Sequence, residues 1–488
     1  MAFGATSKGG DLSAPRPRVA MLVHNAVVHD ARVLKEARSL YRQGYVVEVH
    51  GFDPKTDEKI KTVPGTDVQI FLNSFTEPSA DSIGQGSERI RNDGRFTKFA
   101  REIVQYAYRV AGQSEYATRG LRWLHIAAKK VQVASRRTVN RAKTESMPFT
   151  RYLKNIADRM LPSRMRGRRF RKIAERLIES IGNRPKPDVI HLHDTIALVA
   201  ARELRQTYPD ATTVWDAHEI YEDLAQAPPY LSRLNASIIR EASDCIDRFI
   251  TISDSFADFY ASSHKKLPRP AIVIRNATEI MPPRADDGRL HDAAGLPASQ
   301  RIALYQGGFV THRGLEALVA SATHLDHDWS VVMMGWGPIE EKLKDIARAG
   351  PDRDIPPVCF IPGAPQADLP YWTAGATVGV IPYEDHGLNH RYCTPNKLWE
   401  YPNARVPIVA SDLVEIRRTL DDWSIGWCLP KSPTPQDIAD LINGLSEEEI
   451  AQARKACAKF VESDNWGVYE KRLVKLYSEI ACPPAPQQ

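Results

Sequence analysis

Residues Arg18–Asn25 read RVAMLVHN, a near-continuous apolar run that breaks off in polar residues. A strand with one wet face alternates; a run apolar throughout is buried on both faces, the habit of a strand inside a parallel sheet. The next residues agree. Asp30–Arg42 sets Val33, Leu34, Ala37 and Leu40 on one helical face, Gly44 stops the helix, and Tyr45–Gly51 (YVVEVHG) is a second strand. Strand, helix, strand is the opening of a doubly wound α/β domain, and Val68–Leu72 reads as a further strand.

The alternation stops near residue 75 and resumes at Asp188. Strands are expected at 188–191 (DVIH), 212–216, 248–253 (RFITIS) and 271–275, with a helix at 197–207. Pro282 and Pro283 mark a linker. A second strand–helix series follows from Arg301 (RIALYQGG) through 329–335, 358–363, 377–382 and 406–411. The expected fold is α/β: two Rossmann-like domains facing each other across a cleft, with a basic helical insert in the N-terminal domain. The expected boundaries are a flexible N-terminus over 1–17, an N-terminal domain over 18–280 with its insert at about 75–185, and a C-terminal domain over 281–465. A final helix and tail over 466–488 would cross back to the first domain.

The chain's formal net charge of +5 hides an asymmetry. Arg89 to Arg176 holds 24 Lys/Arg against 6 Asp/Glu, a surplus of +18, which leaves −13 for the other 400 residues. A mildly acidic body thus carries a cationic stretch suited to an anionic partner. Three readings are open for it: cationic amphipathic helices on an anionic membrane surface, a solvated decoration or oligomer contact, and nucleic-acid binding. No nucleic-acid motif supports the last, so no nucleic acid is expected. The six cysteines form no C-x-x-C, the N-terminus lacks the apolar core of a secretory signal, and no apolar run reaches the ~18 residues of a spanning helix. The expected location is cytoplasmic, peripheral on the inner face of the plasma membrane.

Open α/β sheets bind ligands beyond the carboxyl ends of their strands. Gly307 and Gly308 follow the Arg301 strand and lead to Arg313, an arrangement open to a phosphate. Gly335 follows the next strand. In Thr394-Pro395-Asn396-Lys397-Leu398-Trp399-Glu400, Thr394 reads as an N-cap and Pro395 as the first helical position. With Asn396 and Lys397 that helix start favours an anion, and the Glu400 carboxylate can hold a ribose diol. In the first half, His24-Asn25, His191-x-His193-Asp194 and Asp216-x-His218-Glu219 end strands. The H-x-H-D cluster is read as ordinary hydrogen bonding, with no metal site, and His218 as the catalytic candidate facing the cleft.

The motif order resembles the GT-B glycosyltransferases of family 4. The resembling segments are HDARVLKEARSLYRQGYVVEV, DVIHLHD, VWDAHEIYED, RFITISDS, VIRNATE, YQGGFVTHRGLEAL, MMGWGP, FIPGA, VGVIPYE and TPNKLWEYPNARVPIVASDL, over about 18–72 and 186–420. The resemblance implies a retaining, metal-independent transfer from a nucleotide sugar, UDP- or GDP-linked, with no cofactor. It implies that Gly307 and Gly308 present backbone to the donor phosphates beside Arg313, that Gly363 and Ala364 border the base, that Glu400 holds the ribose, and that His218 contacts the transferred sugar. Asn25, His193 and Asp194 would lie on the acceptor side.

Two positions depart from the family pattern. Tyr392 stands where the first Glu of E-x7-E belongs, a loss shared by a subgroup with P-N-K-L-[FW]-E-Y, and Phe309 stands where a basic residue is usual. Lys397 and Arg391 are the nearest replacement cations, and the loop Glu384–Gly387 is a candidate for the donor sugar. The expected function is hexosyl transfer to a lipid-linked or saccharide hydroxyl in polysaccharide or glycolipid assembly. The alternatives are a non-catalytic scaffold and a nucleotide-sugar epimerase of the same fold.

Overall fold

The apolar runs form two sheets. In the computed structural model, which describes residues 16–28, 30–53, 60–74, 163–225, 227–282, 285–351 and 353–481, the first half supplies β1 (Arg18–Leu22), β2 (Val46–Phe52), β3 (Ile60–Thr62), β4 (Gln69–Asn73), β5 (Val189–His193), β6 (Thr212–Ala217), β7 (Arg248–Thr251) and β8 (Ile272–Val273). Their spatial order is β3-β4-β2-β1-β5-β6-β7-β8, parallel throughout except for β3 on β4. The second half supplies β9 (Arg301–Gly308), β10 (Trp329–Trp336), β11 (Val358–Ile361), β12 (Val378–Ile381), β13 (Ile408–Ser411) and β14 (Gly426–Leu429). Their order is β11-β10-β9-β12-β13-β14, all parallel. The expected pair of Rossmann-like domains is what the chain builds.

The strand order reverses between β1 and β5 in one sheet and between β9 and β12 in the other. At such a switch point neighbouring crossovers leave in opposite directions and open a crevice. The strand ends at these crevices carry His24, Asp194, Gly307 and Tyr383, and His218 follows the neighbouring β6.

The helix Ala31–Arg42 is capped by Asp30, whose carboxylate accepts from the Val33 amide at 3.2 Å. Its inward face carries the foreseen Val33, Ala37 and Leu40, and also Arg32 and Glu36. The stretch at 197–207 is two short helices, Asp194–Leu198 and Ala201–Thr207, rather than one.

Most of the cationic stretch, residues 75–162, lies outside the described residues, as do 1–15 and 482–488. Its end does not. Ser163–Gly182 is a helix that buries Ile173, Ala174, Leu177 and Ile181 in the core beside β2 and β5. Each large aliphatic contributes about 1.5–3 kcal/mol, so this helix is a crossover of the first domain and not a decoration. Arg169, Arg171 and Lys172 lie on its exposed side.

The last helix, Trp466–Ala481, packs on the first domain. Trp466 donates to Ser39 at 3.1 Å, Tyr477 meets Tyr45 edge-on at 5.6 Å, and the Tyr477 hydroxyl lies 2.9 Å from His191 Nδ1.

Candidate functional site

Between the sheets lies a cavity of about 430 Å³. The first domain lines it with His218, Glu219, Ile252 and Asn276, the second with residues from the ends of β9, β10, β11 and β12 and from the segment Asn389–Glu400. Of the sequence candidates, His218, Gly307, Arg313, Gly335, Gly363, Ala364, Thr394, Asn396, Lys397 and Glu400 are in its wall. Gly308 is exposed at the end of β9, and its carbonyl accepts from the Tyr305 hydroxyl at 3.0 Å.

Two cations line the cavity together with the bare backbone at the end of β9. The Arg313 guanidinium lies 4.1 Å from the Tyr383 ring centroid. The Lys397 ammonium lies 5.0 Å from the Tyr305 ring and 3.3 Å from the Tyr383 hydroxyl, and it would meet a Cβ at position 307 at 3.0 Å. Among the described residues neither cation has a carboxylate partner in an ion pair, yet both stay charged. Burial works against the Lys397 charge, but Tyr383, Tyr305 and Glu400 hold its proton affinity above the ordinary lysine range. A cation kept charged at a cavity wall, with no carboxylate paired to it, is open to an incoming anion. The Arg313 loop can reach this place because Gly314, at φ +65°, passes so close to Pro382 that a Cβ would fall 1.8 Å from its carbonyl oxygen.

Glu400 does not pair with Lys397 as a surface helix residue would. Its Oε2 accepts from Gln306 Nε2 at 2.9 Å, and Gln306 Oε1 accepts from Thr373 at 2.8 Å. The relay fixes the carboxylate toward the cavity. Gln306, one residue before the glycines, was not singled out from sequence; only its position at a strand end marked it.

Trp336 is another residue sequence reasoning passed over. It is 67% exposed, yet it stands in the cavity wall. Its benzo ring lies so close over Gly363 that a Cβ there would sit 2.2 Å from the indole. One face of the ring is covered by glycine backbone, and the residue presents a flat apolar surface beside Ala364 and Leu369.

Several expectations are corrected. Thr394 is not an N-cap: the helix is Lys397–Asn403 with Asn396 at its start, and the buried Thr394 hydroxyl points at the Ile252 carbonyl, 3.5 Å away across the cleft. Arg391 is held by Asp385 at 3.0 Å and is not in the wall. The loop Glu384–Gly387 is occupied elsewhere: Glu384 pairs with His312 at 3.0 Å, and His386 lies 3.0 Å from the Ala225 carbonyl. Phe309 is 1% exposed against Tyr305 and Phe360, so position 309 faces the core, not the cavity. Tyr392 packs beside Ile220, Ile252 and Phe256 as an apolar contact between the domains.

Behind His218 lies a buried polar nest. Arg32 donates to both oxygens of Asp216, at 2.7 and 2.9 Å, and its Nε is 3.3 Å from Glu36. His191 and His193 stack at 4.2 Å, and His193 Nδ1 is 3.3 Å from His218 Nε2. Glu36, His191, His193 and Asp216 bring ligand atoms within 4.8 Å of one another, all buried. The donor set resembles a metal site, but the guanidinium of Arg32 already fills the cationic position between the two carboxylates, and the group does not fit a divalent ion as it stands. Burial pushes the Glu36 carboxyl up, helped by the nearby Asp216 charge. Burial also opposes ionisation of Asp216, but Arg32 and His218 outweigh it and hold that carboxyl low. Burial drives both His191 and His193 toward the neutral form. A protonated Glu36 and two neutral imidazoles leave Arg32 and Asp216 as the charged pair of the nest.

Asp194 adopts φ +65°, a strained backbone for a residue with a Cβ. Its carboxylate accepts from the Tyr221 hydroxyl and lies 3.3 Å from His24 Nδ1. Asn25, by contrast, serves its own turn: it accepts from the Val27 amide at 2.7 Å and donates to Asp30 at 2.9 Å. Asn25, His193 and Asp194 are not in the cavity wall.

Two family models match the chain: Glycosyltransferase Family 4 over residues 110–280 and Glycosyl transferases group 1 over 300–448. The first begins well inside the cationic stretch, which therefore is not wholly foreign to the family pattern. A search of curated proteins finds no match. Among solved structures the chain is similar to sucrose-phosphate synthase from Thermosynechococcus elongatus, at 13% identity and TM-score 0.62, covering 95% of this chain and 99% of that one. It is similar to the UDP-forming trehalose-phosphate synthase of Burkholderia vietnamiensis, at 11% identity and TM-score 0.59, with 95% and 100% covered. HepE of Anabaena, solved in complex with UDP, matches at 14% identity and TM-score 0.56, again over 95% and 100%. At these identities the likeness is one of fold.

Proposed function

Since the chain belongs to the GT-B glycosyltransferases of the family 4 type, we propose that the interdomain cavity takes a nucleoside diphosphate sugar and transfers its sugar, with retention, to a hydroxyl of a lipid-linked or saccharide acceptor. The observation that carries this reading is the pair of recessed cations without counter-ions, Arg313 and Lys397, beside the glycine backbone after β9. They are suited to a diphosphate. Glu400, held by Gln306, is suited to the ribose, and Trp336 with Gly363 and Ala364 to a nucleobase.

In this reading the developing charge on the leaving diphosphate is met by Arg313 and Lys397. Fixed charges need no rearrangement as the bond to the sugar breaks. The leaving phosphate then helps deprotonate the acceptor hydroxyl on the same face, and no metal or cofactor is called for. Two of the similar structures are named for UDP, which makes UDP the first nucleotide to test and GDP the second. The proposed setting is polysaccharide or glycolipid assembly on the inner face of the plasma membrane. The +18 stretch supports it, and no helix among the described residues is long and apolar enough to cross a membrane.

Calorimetry with UDP and GDP, followed by a donor screen scored by released nucleoside diphosphate, tests the reading. Saturable binding that Glu400→Ala weakens is expected. Unchanged turnover in Glu400→Ala overturns the site.

A further inference from the structure

His218 stands between two carboxylates. Its Nε2 is 3.0 Å from Asp216 Oδ2, and its Nδ1 is 3.3 Å from Asp194 Oδ1. A neutral imidazole has one N–H and one lone pair, so one nitrogen would turn its lone pair on a carboxylate. The doubly protonated ring sets a positive charge between the two, hydrogen-bonded to Asp216 through Nε2 and at ion-pair distance from Asp194, with its Nδ1–H not committed to a hydrogen bond with that carboxylate.

We propose that His218 works in the transfer as a fixed imidazolium, with Nε2–H held by Asp216 and Nδ1–H available to an electronegative oxygen of the bound donor, and that Asp194 and Asp216 are the positioning residues that keep it so. The inference rests on the donor-site reading only for the identity of that oxygen. The charge state itself follows from the arrangement of the ring.

The surroundings agree on every side. From the end of β5 come Asp194, a carboxylate kept low by His218, His24 and Tyr221 against its burial, and His193, neutral by burial. From the end of β6 come Asp216 and Glu219, whose carboxyl burial raises. From the helix Ala31–Arg42 come Arg32, which opposes the charge but is itself tied to Asp216, and Glu36, which burial keeps largely uncharged. His24 follows β1 and answers Asp194 rather than His218. Burial by itself would strip the His218 proton; the Asp216 and Asp194 charges reverse that and move its pKa up to about 9. The strained Asp194 backbone, at φ +65°, is where its carboxylate comes within reach of the ring.

The role differs in kind from that of a base. A general base needs a free lone pair near neutral pH, and this ring offers none. A pre-set N–H of full charge instead meets an oxygen lone pair without any proton changing hands.

Histidine-selective ¹⁵N labelling reads the charge directly in the full chain without substrate. The His218 signals are the ones missing in His218→Gln. The imidazolium pattern is expected from pH 6 to 8, and a neutral tautomer at pH 7.5 overturns the proposal. Asp194→Asn, which removes charge but little volume, should lower the proton affinity of His218 by about tenfold or more, and its transfer rate should then fall with rising pH inside the neutral range where the wild type is flat. An unchanged His218 titration in that variant overturns the part given to Asp194. Failure of UDP and GDP to bind the wild type would count against the donor site alone, because the spectra are taken without nucleotide.

Discussion

Asn389 accepts a hydrogen bond from the Ile220 amide at 2.7 Å and donates to the Glu219 carboxylate. One side chain of the second domain thus ties down the loop that carries His218 in the first. Beside it the Asp223 carboxylate accepts from the Leu388 amide. The cleft is therefore bridged by donors and acceptors paired across it, next to the cavity.

Asn389→Ala leaves the Ile220 amide and Glu219 without that partner. Each lost bond of this kind costs about 1–3 kcal/mol. We expect kcat/KM for transfer to fall by roughly tenfold to a hundredfold, and the melting temperature of the free protein to fall with it. A wild-type rate refutes the bridging role.

Lys397→Met and Arg313→Gln each remove a cation while keeping most of the volume. Nucleoside diphosphate affinity should fall by about tenfold or more in each, as expected for a lost charge-assisted bond of roughly 1.5–3 kcal/mol. The corresponding unphosphorylated nucleoside should lose nothing. Equal losses for both ligands in calorimetry would mean that the cations serve the fold and not the phosphates.

Trp336→Ala should weaken nucleotide binding by about 1–3 kcal/mol, the range for a base stacked on an aromatic ring, while Trp336→Phe keeps most of the affinity. Inorganic pyrophosphate should bind both variants as it binds the wild type. Full nucleotide affinity in the alanine variant sinks the base-stacking role.

Arg32→Met strands Asp216 in the core without its guanidinium. Breaking a buried pair from one side costs about 3–5 kcal/mol, so the denaturation midpoint should drop markedly. The double variant Arg32→Met with Asp216→Asn should recover part of the loss, and no recovery at all would mean that the two residues are not coupled.

Stability should also depend on pH through His218. Its pKa is raised in the fold, from 6.5 to about 9. Its contribution is then fully present below pH 6.5 and is lost as pH rises through about 9. The melting temperature of the wild type should decline over that window more steeply than that of His218→Gln. Parallel curves for the two proteins would refute the shift.

The frame of the fold was legible because its strands are apolar throughout: RVAMLVHN and RIALYQGG cannot be much else. The edge strands were not. β3 shows the burial of a surface segment and has no apolar run to announce it. The helix Ser163–Gly182 carries its apolar stripe at Ile173, Leu177 and Ile181, four residues apart, but the arginines around it drew the eye to charge. On the second-domain side of the cavity Gly307, Arg313, Lys397 and Glu400 could be picked out because they follow strands or open a helix. Their partners could not: Gln306 reaches Glu400 across 94 residues, and Arg32 reaches Asp216 across 184. Thr394 looked like a cap because local propensity cannot see a carbonyl on another domain.

The C-terminal helix lies against the first domain, where Trp466 bonds Ser39 and Tyr477 meets His191. During synthesis the strands of the first domain are complete at Val273, well before the helix that begins at Trp466 exists. That domain must wait with one face uncovered and His191 unattended while the second domain is made. The two halves are thus not independent products joined in series: Ser39 and Tyr45 reach their final packing only after the whole second domain has been made.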